Sequence, residues 1–107
     1  MRSLRSEEIP LVKFMIQKAG LEIDISDLKL ESMDDGGMGS LHFFTETKEP
    51  KFGKTVAEYE FKDQDDLPVF ATLILDQHDR IYELDMWKVD YSPLQKWPSP
   101  QPSPSAI

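Results

Sequence analysis

LPVFATLILDQHDRIYELDMWKVDY, residues 67–91, is the stretch that decides how this chain folds. Leu67, Val69, Ala71, Leu73 and Leu75 recur at every second position among β-branched and aromatic neighbours, the period of a strand with one buried face. Asp76-Gln77-His78-Asp79 is a short polar break, after which residues 80–89 resume strand-like character. Two such runs so close together form an antiparallel hairpin, because a parallel pair needs a far longer crossover. A turn centred on Gln77-His78 sets Leu73 opposite Tyr82, Ala71 opposite Leu84 and Val69 opposite Met86, so that apolar meets apolar on one side.

Working outward towards the N-terminus, Ala57, Tyr59 and Phe61 alternate with Glu58 and Glu60, which gives a strand over residues 55–61. For its aromatic side to join Val69, Ala71 and Leu73, paired residue numbers must share parity. The connection around residues 63–66 must then hold an odd number of residues, with a bulge expected. Residues 40–45 form another strand, with Leu41 and Phe43 on one side and His42 and Phe44 on the other. Leu28, Leu30 and Ser32 alternate with Lys29 and Glu31 in a weaker first strand. Between these two lies Asp35-Gly36-Gly37-Met38-Gly39-Ser40, the strongest turn signal in the chain, since glycine reaches positive φ without steric cost.

Ser6-Glu7-Glu8 followed by Ile9, Val12, Met15, Ile16 and Ala19 predicts an amphipathic helix ending at Gly20. Ser6 suits the N-cap, the two glutamates suit the positive end of the dipole, and Lys18 suits the other end. Pro10 is awkward there, because counting from Ser6 its ring replaces a hydrogen-bonding amide at the fourth helical position. Phe14 lies off the apolar stripe and is expected to meet Leu4 or the tail. The reading is therefore α+β: one N-terminal helix packed on a five-stranded, mainly antiparallel twisted sheet, with a proline-rich C-terminal tail. Residues 1–95 form the single domain and residues 96–107, with Pro98, Pro100, Pro102 and Pro104, a tail expected to be disordered or polyproline-like. The expected core face comprises Leu28, Leu30, Leu41, Phe43, Ala57, Tyr59, Phe61, Val69, Ala71, Leu73, Tyr82, Leu84 and Met86.

Composition narrows the function classes. With 107 residues the chain has room for one core, and without cysteine it has no disulfide, thiol nucleophile or zinc–thiolate site. Its apolar runs fall short of the roughly 20 residues that span a bilayer, and the polar first residues lack a signal-peptide core, so a cytoplasmic location with no membrane partner is expected. Twenty acidic residues against twelve basic give a net charge of −8, which repels nucleic acid and suits either simple solubility or a basic partner.

Parity places Phe44, Glu58, Glu60, Phe70, Thr72, Ile74, Glu83, Asp85 and Trp87 on the sheet face opposite the core. One helix cannot cover both faces, so these aromatics are solvated, covered by the tail, or meant for a partner. Tyr91, Leu94 and Trp97 could fold back over them, or the chain could form a homodimer through this face. The sharper expectation is a partner-binding surface for a basic protein: Phe44, Phe70 and Trp87 as anchors, Glu58, Glu60, Glu83 and Asp85 as charges, and Thr72 among them.

Glu83 and Asp85, about 7 Å apart on one strand face, could instead run acid–base chemistry in a small hydrolase or lyase, given a concave pocket around them. Lys88 is expected to pair with Asp90 or Asp85. Asp63-Gln64-Asp65-Asp66 begins like a calcium loop but lacks its later glycine and glutamate, and reads as a hairpin turn. The glycine-rich turn carries no lysine and makes a poor phosphate cradle. His42 and His78 stand in no metal-ligand spacing, and no catalytic residue, metal or cofactor is assigned.

Two segments together carry a resemblance. Asp35-Gly36-Gly37-Met38-Gly39-Ser40-Leu41 and Glu83-Leu84-Asp85-Met86-Trp87-Lys88-Val89-Asp90-Tyr91-Ser92-Pro93-Leu94, in that order and spacing, resemble a bacterial family of small single-domain proteins of unknown function. The similarity runs over roughly residues 2–98, and Tyr91 stands where phenylalanine is usual. It implies a fold and no activity. Size and acidity alone suggest an analogy with immunity proteins, which block a toxin by binding it.

Overall fold

The structure, a computed structural model, describes residues 1–101; residues 102–107, the last part of the expected proline-rich tail, lie outside the described residues. The central hairpin is present as β4, Pro68–Asp76, and β5, Ile81–Lys88. Before it come α1, Ile9–Lys18, a single 3₁₀ turn at Ile25–Asp27, β1, Lys29–Ser32, β2, Leu41–Phe44, and β3, Phe52–Lys62. The five strands form one open sheet in the order β1-β2-β5-β4-β3, antiparallel at every pairing. Among the described residues no helix is long and apolar enough to cross a membrane.

The hairpin register differs from the one expected, for a reason visible in the turn. Asp76 N–H donates to the Arg80 carbonyl (2.8 Å) and Asp79 N–H to that of Asp76 (3.1 Å), so the loop is three residues long rather than two. Asp79 occupies the left-handed region (φ 61°) that a glycine would usually fill, and the Asp76 carboxylate holds the turn by accepting from the amides of His78 and Arg80. A second extra residue, Tyr82, is squeezed out between the Ile74–Glu83 and Leu75–Ile81 pairs. The two insertions cancel in parity. Leu73 therefore meets Leu84 and Ala71 meets Met86, two positions away from the expected partners yet still on the core face. Tyr82 is the exception: it leaves the core, where Ile81 takes its place, and its ring stands 5.6 Å from that of His42.

The β3–β4 connection holds five residues, 63–67, the odd number that parity required, and β3 is longer than read, with irregular pairing at Gly53 and Val56. The core face of the sheet is Leu30, Leu41, Phe43, Ala57, Phe61, Val69, Ala71, Leu73, Leu75, Ile81, Leu84 and Met86, joined by Leu28 just before β1 and by Leu11, Val12, Met15 and Ile16 of α1. Tyr59 is partly buried and lies against Phe14 of α1, ring centroids 4.8 Å apart; Phe14 thus packs on the sheet, and its other side lines a depression shared with Pro100 and Gln101 of the expected tail.

Helix α1 starts later than expected. Residues 6–8 form a turn and Ser6 makes no cap; Glu8 takes the cap position in an αR conformation without a side-chain cap bond. Pro10 consequently falls in the first turn, where its missing amide costs nothing. The Glu8 carboxylate turns away from the helix instead, accepting from Arg2 Nη1 and Nη2 (2.8 and 2.9 Å) and from the Arg5 amide (2.8 Å). Glu8 is buried, and burial raises its pKa, but the Arg2 guanidinium, the Arg5 amide and the Arg5 charge together outweigh this and hold the carboxyl below its ordinary value.

Candidate interaction face

Parity assigns the face turned away from α1, and the structure builds it row by row. Glu60, Phe70 and Trp87 lie side by side across β3, β4 and β5; Glu58, Thr72 and Asp85 form the next row; Ile74, Glu83 and His42 the one after. Phe70 and Trp87 stack with ring centroids 5.4 Å apart and planes at 23°. Trp87 is 41% exposed, and Tyr91, 68% exposed, leans against it at 6.3 Å. Phe44 falls beyond His42 on β2, so it belongs to a second aromatic group with His42 (4.9 Å) and Tyr82, at the far end of the face from Trp87. The three expected anchors are therefore not one patch. Phe70 and Trp87 form one cluster, Phe44 another, and the carboxylates of Glu83 and Asp85 lie between.

A shallow open depression of about 410 Å³ sits on this face, lined by Glu58, Tyr59, Glu60, Phe70, Ala71, Thr72 and Trp87. Neither Glu83 nor Asp85 lines it. Displacement of water and repulsion from Asp35 raise the Asp85 pKa above the ordinary carboxylate range. Glu83 Oε2 lies 3.8 Å from His42 Nδ1, close enough to pair when the imidazole is protonated. None of the salt bridges among the described residues involves Glu58, Glu60 or Asp85.

Of the three residues expected to fold back over the face, Tyr91 alone meets it, beside Trp87. Leu94 and Trp97 pack against the core cluster on the other side, over the glycine turn. That turn is organised by the Asp35 carboxylate, which accepts from the amides of Gly37 (3.2 Å), Met38 (3.1 Å) and Ser40 (2.9 Å). Gly37 and Gly39 have φ of 84° and 106°, and a side chain on them would press on Pro93 and Trp97, at 3.3 and 3.2 Å. The Gly37 carbonyl accepts from the Leu94 amide (3.0 Å), and Ser40 Oγ accepts from the Met86 amide (2.9 Å). The two motifs that stand out in the sequence are thus one interlocked structure, and their glycines serve contact with the chain end.

Lys88 departs furthest from expectation. It pairs with neither Asp90 nor Asp85: its side chain is 0% exposed and its ammonium donates to Asp63 (2.9 Å) and Asp65 (2.6 Å). Burial disfavours its charge, but the bonds to Asp65 and Asp63 outweigh that and raise its pKa. Asp63 also accepts from the amides of Gln64 (2.8 Å), Gln95 (2.8 Å) and Lys96 (3.0 Å). The DQDD turn is therefore a clasp for the chain end. Lys96 and Trp97, read as the start of the tail, lie in this clasp. The signal was available: Lys88 shares the parity of Leu84 and Met86, and a lysine on a buried face requires a carboxylate partner.

With the geometry in place, comparison with known proteins adds a family. The chain belongs to the family described as a domain of unknown function, DUF6984, whose model matches residues 1–98. No curated protein and no solved structure matches it.

Proposed function

We propose that this member of the DUF6984 family is a non-enzymatic protein-binding module whose outer sheet face takes a basic protein. The observation that carries the reading is the Phe70–Trp87 stack, in which Trp87 is 41% exposed, set beside the exposed Glu58, Glu60 and Asp85, which have no salt-bridge partner among the described residues. Aromatic surface of this kind anchors interfaces, while a net charge of −8 steers a cationic partner towards it. A cytoplasmic, immunity-type protein that neutralises a basic toxin is the form of this activity that fits size and charge. The test is capture from the native host by wild-type protein and by a Trp87→Ala/Glu83→Lys variant. Wild type recovers a basic protein and the variant does not; equal recovery by both removes this face from the account.

Carboxylate catalysis has one observation in its favour, the raised pKa of Asp85. Against it, the depression on the face is walled by Glu58 and Glu60 and excludes both Glu83 and Asp85. A homodimer through the same face would bury Trp87 equally well, and light scattering across concentration separates that arrangement from a monomeric binder.

A further inference from the structure

We propose that the depression beside Trp87 seats an arginine side chain of the partner; this rests on the binding-face reading above and specifies its chemistry. The cradle has two unlike walls. On one side stand Glu58 and Glu60 of β3, exposed and without a salt bridge; on the other stands Trp87 of β5; Phe70 and Thr72 of β4 form the floor. Successive rows place Glu60, Phe70 and Trp87 on adjacent strands, roughly 5 Å apart per strand, so a flat group over β4 has the indole on one side and a carboxylate on the other.

A guanidinium satisfies both walls at once. It is planar, stacks on aromatic faces, and offers paired N–H donors that match a carboxylate. An ammonium is compact and strongly hydrated, and gains less from such a surface. A methylated ammonium is best held by rings standing on several sides of it. Here Phe70 and Trp87 stack on each other with planes 23° apart, so they do not stand around a ligand as the rings of a cage would. Among the described residues no lysine or arginine forms a salt bridge with Glu58 or Glu60: Lys62, two positions along β3 from Glu60, lies 3.4 Å from Asp66.

The test uses the full chain and three peptides, hexa-arginine, hexa-lysine and hexa-citrulline, titrated at matched ionic strength. Binding is followed by the indole and amide cross-peaks in nitrogen–proton NMR spectra; with only two tryptophans, Trp87→Phe assigns the indole signals. Hexa-arginine is expected to shift the Trp87 indole and the Glu58, Glu60 and Phe70 amides, and to bind about threefold or more tightly than hexa-lysine. Hexa-citrulline, planar but neutral, leaves them unmoved. Glu58→Gln with Glu60→Gln is expected to weaken hexa-arginine about tenfold, and Trp87→Leu to bring it down to the hexa-lysine level; spectral dispersion confirms that each variant is folded. Equal affinity for the arginine and lysine peptides, with shifts spread over the face, overturns the arginine seat and leaves the acidic binding face intact. No shift on the face with either peptide overturns both.

Discussion

Asp63→Asn tests the clasp that joins the β3–β4 turn, the end of β5 and the chain end. The carboxylate is fully buried and divides its work between two oxygens: Oδ2 accepts from Lys88 Nζ and the Gln95 amide, Oδ1 from the amides of Gln64 and Lys96. An asparagine offers one acceptor oxygen and one donor nitrogen, so either orientation turns an NH₂ group towards two donors. The less costly orientation keeps Lys88 and Gln95 and loses Gln64 and Lys96. Leaving a buried donor unmet costs about 1–3 kcal/mol. Gln64 and Lys96 are exposed residues whose amides water can reach after a small shift, so we take the lower half, about 2–4 kcal/mol in all. At about 4–5 °C per kcal/mol for a domain of this size, the melting temperature should fall by about 8–20 °C. Thermal unfolding measures the loss, and hydrogen exchange of the Gln95 and Lys96 amides localises it. A variant that melts within about 2 °C of wild type, with those amides equally protected, would refute the clasp.

The same carboxylate sets a pH dependence. Burial pushes the Asp63 pKa up, but the Lys88 ammonium and three amides outweigh it, so the folded value lies below the unfolded one. Its stabilisation is present above about pH 4 and is lost as pH falls through the folded pKa, so the gap between wild type and Asp63→Asn should close in acid. Lys88 works the other way: its folded pKa is raised, and its contribution is lost only as pH climbs through that value, above about pH 10.5. Gly53→Ala should unpair the start of β3, because a Cβ there would run into the Asp76 backbone and stand 2.9 Å from the Leu75 carbonyl; a cost of about 1–3 kcal/mol is expected by denaturant unfolding. Leu84→Ala, at a fully buried position in the middle of the sheet, should cost about 3–4 kcal/mol, whereas Trp87→Ala on the open face should change stability by no more than about 1 kcal/mol.

Alternation was legible wherever a strand was buried on one face only. β4 and β5 read correctly as a hairpin, and the face assignments of Leu84, Met86, Trp87 and Asp85 survived because the two inserted residues cancelled in parity. Tyr82 was misplaced because a bulge leaves no mark in hydrophobic periodicity, and because Asp79 takes a backbone conformation that a glycine would have announced. Leu11 was missed as a core residue because the helix stripe was anchored on Ser6 as cap, whereas α1 begins at Ile9 with Glu8 at the cap position, its carboxylate turned to Arg2. Long-range polar pairing was the least legible feature. Nothing local ties Lys88 to Asp63 and Asp65, and only the conflict between a lysine and a core-facing position pointed to a partner. On the candidate face, composition and parity gave the residues. Their division into a Phe70–Trp87 cluster and a separate Phe44 group depended on register, which two added residues had moved.

The most direct measurement is hydroxyl-radical footprinting of the monomeric chain, read residue by residue by mass spectrometry. If the outer face is open, Trp87 oxidises several-fold faster than Trp97, which packs over the glycine turn, and a bound arginine-rich peptide protects Trp87 alone of the two. Slow oxidation of Trp87 in the free monomer, at or below the rate of Trp97, would mean that the chain hides this face itself.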